Sequence, residues 1–285
     1  MTGALVLKFG GELLEDPARL RTVVAAIVHI ASSGPKGRGG PVVVVHGGGK
    51  EIDAALQVAG IEKRQVDGLR ITDDATLDVV VSVLAGAINT RFVAALTTAG
   101  VSAVGLTGAD ASCGLVEPSP LHRTVDGQQV DLGRVGIPSD AADVRVVALL
   151  AELKFVPVIA CIGLGVDGRL FNVNADTFAG HLAARLRARR LVIAGTTPGV
   201  LDDSGSTVQT LEPAAIERLI HGKTATAGMI AKLRACEHAL SHGAGDVVIV
   251  DGRDGAALEA AALDAAPPNA TRVLAAVNSG SSAGL

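Results

Sequence analysis

Pro41-Val42-Val43-Val44-Val45-His46-Gly47-Gly48-Gly49-Lys50 decides the architecture. Four consecutive valines read as a strand buried on both faces, the pattern of a parallel sheet. The run passes directly into three glycines. Glu51 to Val58 then takes a helical period, with Ile52, Ala55, Leu56 and Ala59 on one face. Sheets of this kind bind ligands beyond the carboxyl ends of their strands. Glycines let backbone N–H groups approach an anion closely, and a helix start adds partial positive charge. The stretch therefore predicts a phosphate or carboxylate site. A glycine triplet alone reads equally well as a tight turn. A second glycine turn, Lys8-Phe9-Gly10-Gly11 after a strand from Ala4 to Lys8, shifts the balance toward a site.

Outward from these turns the chain alternates strands with helices. Pro17 to Ala31 is helical, with Leu20, Val23, Val24, Ile27 and Ile30 on one face. Ser32 to Gly40 is a loop. Gln65 to Asp73 is short and extended, and Thr72 or Asp73 caps a long helix from about Ala75 to Ala99. Val101 to Leu106 is a buried strand. Thr107 to Pro138 predicts a β-hairpin excursion with Asp126-Gly127 at a turn, placed to cover a substrate. Val144 to Leu153 is a helix, Phe155 to Cys161 a strand, and Ile162 to Arg169 a glycine-rich turn. Asn172, Asn174 and Asp176 precede a helix through about Arg187, more polar groups than one cap requires. Arg185, Arg187, Arg189 and Arg190 are expected to coat that helix end. Arg190 to Ala194 is a strand, followed by the turn Gly195 to Gly199. Leu211 to Ile220 is a helix, His221 to Thr226 a polar loop, and Ala227 to about His242 a helix. Asp246 to Val250 is a strand, and the tail beyond Pro267 frays. The fold class is α/β: a three-layer αβα sandwich with a mainly parallel central sheet. An N-terminal lobe is expected over residues 1–165 and a C-terminal lobe over 166–285.

Composition removes several classes of function. With 285 residues and a net charge of -4, nothing in the charge balance favours nucleic acid or an acidic membrane. Aromatics are 2%, without Trp or Tyr, so base-stacking platforms are not expected. No apolar run is read as long enough to span a bilayer, and no leader pattern opens the chain. Cys113, Cys161 and Cys236 are widely spaced and odd in number, which fits buried thiols in a reducing cytoplasm. The Walker phosphate pattern, the protein-kinase signatures and the Gly-x-Ser-x-Gly turn of α/β hydrolases do not occur.

What remains is two glycine turns, Lys8, Lys232, Arg70 and the Asn/Asp cluster. Arg70 reads either as a surface arginine or as a two-pronged clamp for a carboxylate. Lys232 on its own is a solvated helix lysine. His46, ending a buried strand, is taken as structural.

Together, Lys8-Phe9-Gly10-Gly11, His46 to Gly49, Asp67-Gly68-Leu69-Arg70, Asn172-Val173-Asn174-Ala175-Asp176 and Gly228-Met229-Ile230-Ala231-Lys232 resemble the amino acid kinase family over nearly the whole chain. Within it they are similar to the branch that acts on N-acetyl-L-glutamate. The resemblance implies the family's fold, and phosphoryl transfer from ATP to the γ-carboxylate of N-acetyl-L-glutamate in arginine biosynthesis, with Mg2+ carried by the nucleotide. It implies catalytic roles for Lys8, Lys232 and Asp176, with Asp176 fixing both ammonium groups. The substrate would meet Gly47, Gly48, Gly49, Arg70, Asn172 and Asn174. The nucleotide would meet Gly10, Gly11, Thr196, Gly199, Leu201, Thr226, Gly228 and Met229. The chain departs from the family at Thr196, where an Asp is usual. The first strand is read from about Ala4 with no helix ahead of it, so the resemblance implies a homodimer without arginine feedback. A sister kinase of carrier-linked aminoadipate or glutamate in lysine biosynthesis, and a non-catalytic sensor of the same fold, are the competing readings.

Overall fold

The computed structural model describes residues 3–33, 40–124, 127–221, 227–263 and 267–275. Strands β1 (Leu5–Phe9) and β2 (Val42–His46) are buried at every position, as their apolar runs require. Between them lies helix α1 (Pro17–Ser32). Asp16 caps it, its carboxylate accepting from the N–H groups of Ala18 and Arg19 at 2.9 Å each. Helix α2 (Gly49–Val58) springs from the glycine triplet. Ala59, grouped above with its apolar face, lies past its end and is exposed. A tight hairpin follows, β3 (Gln65–Val66) and β4 (Leu69–Arg70). Asp67 and Gly68 turn it at φ of 46° and 73°.

The long helix begins as α3 (Asp74–Val81), capped by Asp73, passes through a π-helical segment, Ser82–Ile88, and continues as α4 (Asn89–Thr98). The edge strand β5 (Ala103–Thr107) leads to the excursion. That is built from β6 (Leu115–Pro118), a small hairpin of β7 (His122–Arg123) and β8 (Gln129–Val130), and β9 (Gly136–Pro138). Gly127 turns the small hairpin at φ 84°, while Asp126 lies outside the described residues. Helix α5 (Arg145–Glu152) and strands β10 (Val156–Ala160), β11 (Ile162–Gly165) and β12 (Leu170–Asn172) complete the first half. The second half contains α6 (Ala175–Arg185), β13 (Arg190–Gly195), β14 (Thr210–Leu211), α7 (Pro213–His221), α8 (Ala227–Ser241), β15 (Val247–Asp251), α9 (Gly255–Ala262) and β16 (Ala270–Val273).

Among the described residues the main sheet has the order β14-β16-β15-β13-β1-β2-β10-β5. Its pairings are parallel except for β15 with β16. A smaller sheet, β12-β11-β6-β9, carries the excursion. Alternation along β1 sorts the two cores. Leu5, Leu7 and Phe9 pack with α1, α4 and α9, while Val6 packs with α5, α6 and α8 on the opposite face. This is the three-layer arrangement expected. The chain leaves β1 for β2 on one side and returns as β13 on the other. The carboxyl ends of β13, β1 and β2 therefore meet at a switch point, where such sheets bind ligands.

Several expectations need correction. The segment from Ile162 was read as a turn, but Ile162–Gly165 is strand β11. Its glycines serve close packing, since a Cβ on Gly163 would overlap Val116. The tail holds strand β16, antiparallel to β15, where fraying was expected. Arg190 does not coat a helix end; it is buried, donating to Asp246 and to the carbonyl of Ala261. Asp74–Thr98 is, by length and composition, long and apolar enough to cross a bilayer, contrary to the reading that no run is. Its Val80, Leu84, Ile88, Phe92 and Leu96 lie in the protein core.

Candidate active site

At the switch point lies a cavity of about 260 Å³. It is lined by Lys8, Gly10, Gly11, Gly47, Gly48, Gly49, Arg70, Asn172, Asn174 and Asp176, all anticipated from the sequence. The two glycine turns touch backbone to backbone: a Cβ on Gly11 would overlap the main chain of Gly48, and one on Gly48 would overlap Ile88 and Leu84. No side chain fits at either position, so bare backbone faces the cavity floor.

Lys8 points from β1 toward α6, and its Nζ lies 2.7 Å from Asp176 Oδ1. Both groups are buried. Asp176 stands in the first turn of α6, where the helix dipole favours a carboxylate. Asn174 caps that helix, its Oδ1 accepting from Asp176 N–H at 3.0 Å and Thr177 N–H at 3.1 Å. Burial works to lower the pKa of Lys8, but the charge and hydrogen bonding of Asp176, aided by Glu12, carry it above the ordinary lysine value.

Lys232 comes from α8. A Cβ on Gly180 of α6 would overlap the carbonyl of Ala235, so the two helices pack at close range and bring Asp176 and Lys232 to the same place. The Lys232 ammonium group lies 3.4 Å from where a Cβ on Gly195 would stand, at the end of β13. Among the described residues it forms no ion pair within 4.0 Å. Burial lowers its pKa, the nearby charge of Lys8 lowers it further, and the charge of Asp176 offsets only part of this. Two ammonium groups thus share the field of Asp176, with the Glu12 carboxylate as a weaker, more distant counter-charge.

Arg70 is held by Asp53, its Nη2 donating to Asp53 Oδ1 at 2.5 Å and more weakly to the carbonyl of Gly49. Its Nη1 is buried and unpaired. An orphaned guanidinium nitrogen at a cavity wall fits an incoming carboxylate. Asn172 donates from Nδ2 to Thr72 Oγ1. His46 is fully enclosed, its Nδ1 directed at the Gly47 carbonyl and its Nε2 facing Asn89 Nδ2; burial lowers its pKa to about 4. It stays neutral and structural. Burial pushes the Cys161 thiol far above its usual range, which removes it as a nucleophile.

Thr196 lies elsewhere, in a second cavity of about 350 Å³ with Glu12, Arg19, Lys50 and Arg253. Gly199, Leu201, Gly228 and Met229 line neither cavity, and Thr226 lies outside the described residues. Sequence reasoning missed Asp53, which holds Arg70, and Glu12, which lines both cavities. Asp53 sits at helical spacing from Gly49 on α2, but nothing in the sequence pairs it with Arg70. Glu12 adjoins the glycine turn directly, and that adjacency was the available signal.

The family model for the amino acid kinases matches residues 3–251, and the chain belongs to the amino acid kinase family. Among curated relatives, an acetylglutamate kinase of Novosphingobium aromaticivorans is 42% identical over 257 residues, covering 87% of this chain and 83% of the relative. One from Chloroflexus aurantiacus is 43% identical over 253 residues, covering 88% and 93%. Solved structures share the fold. N-acetylglutamate synthase from Neisseria gonorrhoeae, complexed with coenzyme A and N-acetyl-glutamate, superposes at a TM-score of 0.74 with 23% identity, over 90% of this chain and 56% of that one. Carbamate kinase from Giardia lamblia bound to AMP-PNP superposes at 0.67 with 15% identity, over 96% and 99%.

The electrostatics of Lys232 generate a stability prediction. A folded-state pKa below the ordinary 10.5 means that folding disfavours the charged form. The penalty is fully present below the lowered value and relaxes as pH rises from it toward 10.5. Lys232→Met should therefore raise the melting temperature of the unliganded protein at neutral pH, measured by calorimetry. A lower melting temperature would contradict this electrostatic account.

Proposed function

We propose that this chain transfers the terminal phosphoryl group of ATP to the γ-carboxylate of N-acetyl-L-glutamate, forming the acyl phosphate of the second step of arginine biosynthesis. The observation that carries the reading is the placement of Lys8 and Lys232 around Asp176, beside two bare glycine turns and an arginine with an unpaired nitrogen. Curated relatives at about 40% identity are acetylglutamate kinases.

The chemistry matches this inventory. A side-chain carboxylate with an ordinary pKa of about 4.3 is already ionised at neutral pH, so the nucleophile requires no general base. The enclosed, neutral His46 is consistent with that. The barrier lies in bringing two anions together in line. Lys8 screens the incoming carboxylate and the transferring group, and Lys232 stabilises charge on the leaving side. Asp176 orients both ammonium groups. Gly11, Gly48 and Gly49 offer backbone N–H groups, those of Gly10 and Gly47 being spent on the carbonyls of Ala194 and Phe9, and Arg70 takes the α-carboxylate. Asn172 and Asn174 border the substrate, while Thr196, Gly199, Leu201, Thr226, Gly228 and Met229 serve the nucleotide. In this reading residues 1–165 hold the amino acid and 166–285 the nucleotide. Magnesium, carried by the nucleotide, would neutralise its phosphates.

A homodimer is the assembly we infer. Strand β5 ends the main sheet with partly exposed residues, and 39% of the most apolar stretch of Asp74–Thr98 is buried within one chain. Asn89, Val93 and Thr97 of α4 and Gly105 of β5 line a shallow groove between the two. An open sheet edge beside a half-exposed helix face of small and polar residues suits a second copy of the same chain. Light scattering should give the mass of two chains; a monomer or a hexamer would overturn this assembly.

The reaction is tested by trapping the acyl phosphate as a hydroxamate, with ATP and either N-acetylglutamate, glutamate, N-acetylaminoadipate or aspartate. Strong product with N-acetylglutamate is expected, and Lys8→Ala should lower kcat by roughly 10²–10³-fold. Silence with all four acceptors would favour a carrier-linked substrate or a sensor.

A further inference from the structure

Glu12 follows the Gly10-Gly11 turn and opens a short 3-10 turn, Gly11–Leu13. Its backbone carbonyl accepts from Arg19 Nη1 at 3.0 Å, which pins the turn to α1. Its side chain folds back over the glycines: a Cβ on Gly10 would overlap both carboxylate oxygens. The carboxylate borders the cavity of Lys8 and Asp176 and equally the cavity of Thr196 and Lys50. Its charge reaches both Lys8 and Lys232 and favours their charged forms. Among the described residues its side chain has no hydrogen-bond or ion-pair partner.

An unpartnered carboxylate resting on the glycine cradle is out of place in a site for phosphate unless something reconciles the two. The argument rests on the phosphoryl-transfer reading above. A polyphosphate settling against Gly10 and Gly11 would meet Glu12 with like charge, and at such range the two repel. A hard divalent cation between them converts repulsion into shared coordination. Magnesium is commonly held in this way, by one or two carboxylates together with substrate phosphates. Asp176 is already engaged by Lys8, whereas Glu12 is available.

We propose that Glu12 is the protein's own carboxylate ligand for the magnesium ion carried by the nucleotide, and that in the unliganded chain it acts as a counter-charge to Lys8 and Lys232. Titration calorimetry of ADP into the protein and into Glu12→Gln tests this, once with excess Mg2+ and once with EDTA. The variant should bind MgADP about tenfold or more weakly, as loss of a metal-site partner commonly does. It should bind metal-free ADP more tightly, because the repulsion is gone. Its Mg2+ requirement for ADP binding should rise. MgADP affinity that is unchanged or increased in Glu12→Gln overturns the proposal. The unliganded variant should melt slightly below the parent, since a counter-charge to two lysines is gone; if it does not fold, Glu12→Ala is read by the same two titrations. Failure of the parent to bind ADP under either condition would instead overturn the ATP reading of the site.

Discussion

Asp176 stands between the ammonium groups of buried Lys8 and half-buried Lys232 and pairs directly with only the first, and the rest of the site is arranged around that unequal sharing. Lys8 receives a direct ion pair and holds its proton firmly. Lys232 is largely desolvated and receives only the more distant fields of Asp176 and Glu12, and its pKa falls. In isolation the arrangement costs stability, because a desolvated ammonium without a close partner is unfavourable. In the proposed reaction an anionic substrate pair would supply the missing charge. The cost in the unliganded protein and the electrostatic stabilisation of the reaction thus come from the same residues.

The sheet makes this placement possible. Lys8 interrupts a strand that is otherwise apolar, on the face that packs against α6, so its stem lies in the core while its head reaches the carboxyl end of the sheet. Asn174 begins α6 at the point that puts Asp176 opposite that head. Gly180 lets α8 approach closely enough to bring Lys232 in. On the other side of β1, contact between Gly11 and Gly48 fixes how near the two turns stand. The π-helical segment before α4 places Leu84 and Ile88 against Gly48, sealing the floor from behind. A π-turn inside a long helix is often found at functional positions.

Much of this was legible in the chain itself. The valine run, the Lys8 turn and the alternation of strands with helices give the three layers, because continuous apolar runs and glycine turns have few other readings. The polar groups at Asn172, Asn174 and Asp176 were more than a cap needs, and all three border the cavity. What was not legible depends on tertiary contact. Glycines in β11 look like a turn until Val116 is seen to occupy the space above Gly163. Arg190 looks like one of four surface arginines until Asp246 and the Ala261 carbonyl are seen to enclose it. The π-segment has no sequence signature, since Ser82 to Ile88 is ordinary apolar helix. Asp53 has local neighbours that say nothing about Arg70, whereas Glu12 adjoins the glycine turn, and that adjacency alone pointed to it. Thr196 faces a cavity apart from the one lined by Lys8 and Asp176, and no local pattern predicts that separation.

The central claim is that the two lysines act on charge that develops during transfer, not on resting nucleotide. The most direct measurement compares the affinity of the protein and of Lys232→Met for MgADP alone and for MgADP with aluminium fluoride and N-acetylglutamate, the planar mimic of the transferring group. The account predicts a small loss for MgADP and a far larger loss for the mimic, because only interactions stronger in the transition state accelerate the reaction. Equal losses for both would mean that Lys232 merely binds nucleotide, and would contradict the account.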